Sequence, residues 1–188
     1  MKWLVVGLGN PGDQYENTRH NAGFILADRL AKELNLGWRL NSHERVAEAK
    51  GEYGDKSVLI IKPQTYMNAS GGAVVRMAIK EEVLPARIIV LSDDVNLPLG
   101  TVRVRSGGSA GGHNGLASIV DRLGEEVARI RVGVGEPVGG VALENYVLER
   151  FSKSELLGLE KISAITVPKI LLAIKEGVVK DDSFTVQL

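Results

Sequence analysis

The sequence predicts an α/β protein: a single-domain three-layer sandwich with a twisted, mixed β-sheet and helices on both faces. Three observations carry this expectation. Short apolar runs suited to strands alternate along the 188 residues with stretches of helical periodicity. The run Ile88 to Leu91 is continuously apolar, as a strand covered on both faces has to be. Hydrophobic residues make up 44% of the chain, enough to bury one core, and no internal repeat or low-complexity segment divides it. One domain over residues 1–188 follows.

The first strand is Trp3 to Val6. It leaves through a glycine-rich turn, Gly7-Leu8-Gly9-Asn10-Pro11-Gly12, and a polar segment then leads to His20, just before a helix. The apolar face of that helix is Phe24, Ala27, Leu30, Ala31 and Leu34, at three- and four-residue spacing. Ala47 to Tyr53 and Ser57 to Ile61 read as two strands around the Gly54-Asp55 turn signal. Ser70 is placed to cap a helix carrying Val74, Val75, Met77, Ala78 and Ile79, although Gly71-Gly72 weakens its first turn. Thr101 to Arg105 alternates as a half-exposed strand does, Asn114 to Leu123 is helical, and Ala128 to Val134 is a further strand. Glu136 to Gly140 reads as a surface loop. Ser152 and Glu155 have the spacing of a capping box that opens the last helix.

Lys+Arg 23 balance Asp+Glu 23, so a phosphate-bearing partner has to be met by a local basic patch. Cysteine is absent, which excludes disulfides, thiol catalysis and thiolate metal sites and fits a reducing compartment. The chain enters strand-like sequence directly, without a charged-then-apolar leader, and holds no long apolar run. A cytoplasmic protein with no membrane association is expected.

Gly7, Gly9 and Gly12 match GxGxxG after a strand, the spacing of a dinucleotide-binding turn. That reading needs a helix packed on the strand from the third glycine. Asp13-Gln14-Tyr15-Glu16-Asn17-Thr18-Arg19 has no apolar stripe, so an ordinary Asn-Pro-Gly turn stands ahead of it.

His20, between a tight loop and a helix start, is either a helix-cap histidine or a group placed for proton chemistry. Asp93 follows the buried run, so it lies at the carboxyl end of a strand, where open α/β sheets carry their sites. If the strands before His20 and Asp93 are parallel neighbours, both residues open on one edge. A carboxylate bonded to one imidazole nitrogen fixes the tautomer and leaves the other nitrogen to take a proton. The plainer reading of Asp93-Asp94 is a turn after a strand. No side-chain nucleophile accompanies the pair: there is no cysteine and no serine in a GxSxG elbow. Activation of water is the chemistry left.

Asn10 serves its turn, and Asn114 serves as a helix cap, or else each offers an amide to a substrate. Asn68 is flanked by Tyr66 and Met67, which read as packing residues. The run Gly107-Gly108-Ser109-Ala110-Gly111-Gly112 before the helix at Asn114 is a linker or an anion site built of backbone N–H groups. Arg103 and Arg105 share one strand face and Arg129 and Arg131 another; near a glycine loop they favour a phosphate patch. His113 reads as structural and His43 as exposed. The three histidines have no metal-ligand spacing, and no metal is expected.

Five blocks together resemble the bacterial peptidyl-tRNA hydrolases. They are Gly7 to Gly12 with Tyr15 and Thr18-Arg19-His20-Asn21-Ala22-Gly23, then Pro63-Gln64-Thr65-Tyr66-Met67-Asn68-Ala69-Ser70-Gly71, and Asp93-Asp94 with Leu97-Pro98-Leu99-Gly100. Arg105 to Leu116 and Arg129 to Gly135 follow, the last with Tyr146-Val147-Leu148 and Phe151 behind it. The resemblance implies hydrolysis of the ester joining a peptide to the terminal ribose of tRNA. It implies His20 as the base on water and Asp93 as its orienting carboxylate. It places Asn10, Asn68 and Asn114 in the substrate cleft and Met67 in the peptide groove, with Tyr15 and Tyr66 in the substrate-binding set. Arg103, Arg105, Gly111, Gly112, Arg129 and Arg131 are then the expected tRNA phosphate contacts. No cofactor or obligate protein partner is implied, and a monomer is expected. Many relatives carry an acidic residue where this chain has Asn96, so a second carboxylate there is not expected. Some relatives serve instead as RNA-binding partners in organellar intron splicing; the full catalytic set here places that reading behind.

Overall fold

The computed structural model describes residues 1–137 and 139–187. Eight strands form one sheet: β1 (Lys2–Gly7), β2 (Arg39–Asn41), β3 (Val46–Tyr53), β4 (Lys56–Pro63), β5 (Ile88–Asp94), β6 (Thr101–Arg105), β7 (Ala128–Gly133) and β8 (Asp182–Thr185). Their order is β2-β3-β4-β1-β5-β7-β6-β8. The central strands β4, β1, β5 and β7 run parallel, while β2, β3, β6 and β8 add antiparallel margins. The sheet is therefore mixed.

Helices cover both faces. Helices α1 (Ala22–Glu33) and α5 (Lys153–Glu176) share a buried cluster with Trp3, Val5, Ile89 and Leu91. Helices α2 (Ser70–Lys80) and α3 (Asn114–Leu123) share another with Leu4, Val6, Ile88 and Val90. Alternate residues of β1 and β5 thus feed opposite cores, which is why both strands read as continuous apolar runs. All seven residues of β5 are buried. Among the described residues no helix is long and apolar enough to cross a membrane.

The opening glycines serve packing. A Cβ on Gly7 would lie 2.6 Å from the Gly23 carbonyl oxygen and 2.7 Å from Ala27 Cβ, so α1 presses directly on the end of β1. Gly12 (φ 110°) is followed by a single 3₁₀ turn at Asp13–Tyr15, and the first α-helix waits until Ala22. The helix that a dinucleotide-binding turn requires is missing there.

The structure corrects the cap expected of Ser70 and adds three elements. Ser70 is the first residue of α2, with helical dihedrals, while Ala69 holds the cap position without a side-chain bond. The Ser70 hydroxyl is instead buried with no partner among the described residues. Gly71 lets α2 meet α3: its N–H donates to Ser118 Oγ at 3.0 Å, and a Cβ there would collide with the Ser118 carbonyl. Strands β2 and β8 and the four-residue helix α4 (Leu143–Tyr146) are absent from the sequence reading. They are short and mostly polar, and β8 is fixed by pairing with β6, Phe184 opposite Val102, rather than by its own pattern. The capping box of α5 is present: Ser152 Oγ accepts the Glu155 N–H at 3.2 Å, and Glu155 accepts the Ser152 N–H at 2.6 Å.

Candidate active site

Strands β1 and β5 are parallel neighbours in register Gly7 to Leu91, so their carboxyl ends open on one edge of the sheet. Asp93 stands near the end of β5, and the chain leaving β1 returns to that edge in a 3₁₀ turn, Arg19–Asn21. There His20 Nδ1 lies 2.9 Å and 3.1 Å from the two Asp93 carboxylate oxygens. A second histidine arrives from the other core: His113 Nε2 lies 2.9 Å from Asp93 Oδ1. Asp93 is 2% exposed and sits between the two rings.

The hydrogen-bond partners assign the protons. His113 is the N-cap of α3, and its Nδ1 accepts the N–H groups of Gly115 and Leu116 at 3.1 Å and 3.2 Å. In the neutral ring that lone pair leaves the proton on Nε2, which donates to Asp93. His20 likewise donates from Nδ1 to the carboxylate and keeps the lone pair of Nε2 free. Burial by itself pushes the Asp93 carboxyl up, but His113 and then His20 outweigh it and hold the group well below the usual carboxylate range. Asp93 is an anion bound by two N–H donors.

His20, Asp93 and His113 also offer three potential metal-ligand atoms within 4.8 Å of one another. The donor set does not suit a cation. A metal at His113 Nε2 needs a lone pair there, and the cap at Nδ1 puts the proton on that nitrogen. Sequence spacing gave no hint of this cluster, because residues 20, 93 and 113 meet only through the sheet.

These groups line a cleft of about 370 Å³ whose other residues include Gly111, Gly112, Asn114, Arg131, Leu143 and Val147. The N–H groups of Gly111 and Gly112 make no hydrogen bond among the described residues. Both glycines are exposed and hold positive φ, 59° and 82°. Asn114 is exposed in the cleft wall; the cap expected of it belongs to His113.

Asn10 and Asn68 lie outside the cleft lining. Asn10 is buried, with Oδ1 accepting the Met67 N–H at 2.9 Å, which leaves Nδ2 as its unengaged donor among the described residues. Its backbone is locked to Asn21 by two bonds, at 2.8 Å and 3.1 Å. Asn68 and Tyr66 are exposed, whereas Met67 packs in the core cluster with Leu8 and Leu116. Tyr15 is half-buried, and its carbonyl accepts the N–H and hydroxyl of Thr18. His43 is exposed beside Glu44.

All four arginines fall on one sheet face, because Arg103 opposes Arg131 and Arg105 opposes Arg129 across β6 and β7. Their environments then diverge. Arg129 is 1% exposed and donates to the carbonyls of Ser109, Glu125 and Val127, so it offers no surface to a phosphate. That removes it from the expected phosphate contacts. Burial, helped by nearby Arg131, lowers its pKa from the ordinary guanidinium value. Arg131 is mostly buried, donates to the Ser109 carbonyl at 2.8 Å and pairs with Asp94 at 3.5 Å. Arg105 donates to the carbonyls of Val104 and Asp182. Arg103 makes no ion pair or side-chain hydrogen bond among the described residues and is half-buried.

Sequence reasoning missed Asn21, the wall from Leu143 to Val147, and the bond from His113 to Asp93. Asn21 and His113 each lie inside a block that carries the resemblance, as does Val147 at the end of the wall; Leu143 and Glu144 carried no such signal.

An α/β sheet with a histidine–carboxylate pair in a cleft at its carboxyl edge is the architecture of a protein with a site for proton-transfer chemistry. The family model for peptidyl-tRNA hydrolase matches residues 4–186. The chain is 46% identical over 175 residues to the peptidyl-tRNA hydrolase of Desulfitobacterium hafniense, covering 93% of this chain and 94% of that one. It is 44% identical over 177 residues to that of a Sulfurihydrogenibium species, with 94% and 93% covered. The crystal structure of peptidyl-tRNA hydrolase from Acinetobacter baumannii superposes with a TM-score of 0.87 at 31% identity, covering 93% and 89%. The chain belongs to the peptidyl-tRNA hydrolase family.

Proposed function

We propose that the chain hydrolyses the ester of peptidyl-tRNA with water activated at His20 Nε2. The observation that carries this reading is the His20–Asp93 pairing at 2.9 Å and 3.1 Å, which turns a free imidazole lone pair into the cleft. Water loses its proton to Nε2 as its oxygen bonds the ester carbonyl carbon, and Asp93 stabilises the imidazolium that forms. Collapse of the tetrahedral intermediate breaks the bond to the ribose oxygen, which takes the proton back from His20. Free tRNA and a peptide acid leave, with no acyl-enzyme. Asn114 in the cleft wall offers an N–H donor for the oxyanion, one such donor being worth roughly 10²–10³ in rate.

Arg103, Arg131 and the free N–H groups of Gly111 and Gly112 are the anion contacts supported for the tRNA backbone. Tyr15, Tyr66, Met67 and Asn68 remain the proposed peptide-side residues. An amide of an N-blocked peptide suits asparagine, whereas a free α-ammonium has to be desolvated, so charged aminoacyl-tRNA is spared. We place this activity in the cytoplasm, performed by a monomer; the lack of cysteine fits that compartment.

Release of N-acetyl-aminoacid from N-acetyl-aminoacyl-tRNA tests the reading. His20→Ala is expected to lose roughly 10²–10⁴ in turnover while keeping tRNA affinity. Wild-type-like turnover in that variant refutes the role of His20. Salt-sensitive RNA binding without any turnover in the wild type points to a binding protein instead.

A further inference from the structure

Arg19 immediately precedes His20, and its side chain is only 10% exposed. One guanidinium gathers four groups from a single distant stretch. It pairs with Glu149 at 3.3 Å and Glu155 at 3.2 Å. Its carbon lies 4.3 Å from the ring centroid of Tyr146 and 5.8 Å from that of Phe151. Only a planar fork with a polarised face serves two carboxylates and an aromatic ring at once.

The backbone repeats the connection. Arg19 N–H donates to the Glu149 carbonyl at 3.0 Å, His20 N–H to the Val147 carbonyl at 2.8 Å, and Phe151 N–H to the Asn17 carbonyl at 2.8 Å. The Tyr146 hydroxyl donates to the Val134 carbonyl at 2.8 Å, just past β7. Glu155, one arm of the clamp, also accepts the Ser152 N–H and so ties the clamp to the start of α5. Leu143, Glu144 and Val147, which wall the cleft, lie within or just ahead of the clamped stretch. The main chain of the proposed base therefore hangs on a segment held by these main-chain bonds, by the Tyr146 hydroxyl and by the Arg19 side chain, which alone gathers both carboxylates and the Tyr146 ring.

We infer that Arg19 is a positioning residue for the hydrolytic step, holding the 143–151 wall and, through the His20–Val147 bond, the His20 ring in register with its water. The inference rests on the proposed role of His20. It acts through geometry: misplacement of a catalytic group by about 1 Å costs on the order of a hundredfold in rate. A merely structural arginine would lower stability without touching the chemical step.

The test measures single-turnover hydrolysis of N-acetyl-aminoacyl-tRNA, KM and thermal midpoint for Arg19→Met and Arg19→Lys, each also in a His20→Ala background. Assays run well below every midpoint. Arg19→Met is expected to lower kcat by on the order of ten- to a hundredfold with little change in KM. Arg19→Lys recovers part of that loss. In the His20→Ala background Arg19→Met adds no further loss, because the group it positions is gone. Unchanged kcat in Arg19→Met overturns the inference, as does an equal loss in the His20→Ala background. Full turnover in His20→Ala alone is a different result and overturns the role of His20. If Arg19→Met does not fold, Glu149→Gln removes one arm of the clamp at a half-exposed position. It is expected to show a smaller kcat loss with the same non-additivity, and a fully additive loss overturns the inference.

Discussion

His113 donates from Nε2 to Asp93 Oδ1 at 2.9 Å while its Nδ1 accepts the first free N–H groups of α3. One ring therefore joins a helix start to the buried carboxylate, and the cap decides which nitrogen carries the proton. The consequences divide by substitution.

His113→Ala loses both bonds, and the lost cap should lower stability by about 0.5–2 kcal/mol. His113→Asn keeps a good capping side chain and should recover most of that stability. Neither replaces the Nε2–H donor to Asp93, so turnover is expected to fall in both, by less than in His20→Ala. Chemical denaturation and single-turnover rates, measured on the same preparations, separate the two effects.

Asp93→Asn removes the anion that stabilises the His20 imidazolium. Turnover should drop on the order of 10²–10⁴-fold. Single-turnover hydrolysis of N-acetyl-aminoacyl-tRNA reads that loss, and wild-type-like turnover overturns the orienting role of Asp93.

Acid stability follows from the same carboxyl. Asp93 is held low by its two histidines against the upward push of burial, and Glu155 is held low against burial by Ser152 and then Arg19. A carboxyl depressed in the folded state contributes stability above its unfolded value and loses it as pH falls through the folded one. The denaturation midpoint should therefore hold from neutrality down to about pH 5 and decline below about pH 4, where unfolded carboxyls bind protons. Asp93→Asn should flatten that decline.

The arginines separate by partner. Arg103→Met should leave stability nearly unchanged and reduce the slope of log affinity for tRNA against log salt by roughly one unit. Arg129→Met should leave that slope alone. It strands the carbonyls of Ser109, Glu125 and Val127, a loss of about 1–3 kcal/mol seen in denaturant titration.

Much of the fold was legible because its signals are local. The apolar run of β5, the three- and four-residue stripe of α1 and the Ser152–Glu155 box each lie within a few neighbouring residues. Ser70 shows where local reading slips. A serine before a helical pattern suits a cap, but the 3₁₀ turn at Met67–Ala69 carries helical backbone into the serine itself. Strand β8 shows the opposite failure, since Asp182–Thr185 has almost no strand pattern and exists through its pairing with β6.

By itself the sequence determined the alternation of strands and helices, the placement of His20 ahead of α1 and of Asp93 at the end of a buried strand, and the lack of any thiol. Those follow from spacing and residue type. The tertiary structure alone decided that His113 shares Asp93 with His20, that Arg129 turns inward while Arg103 does not, and that Arg19 ties His20 to the 143–151 wall. The pairings of His113 with Asp93 and of Arg19 with Glu155 join groups 20 and 136 positions apart along the chain. Sheet order and register bring them together, and the packing of both cores holds them there.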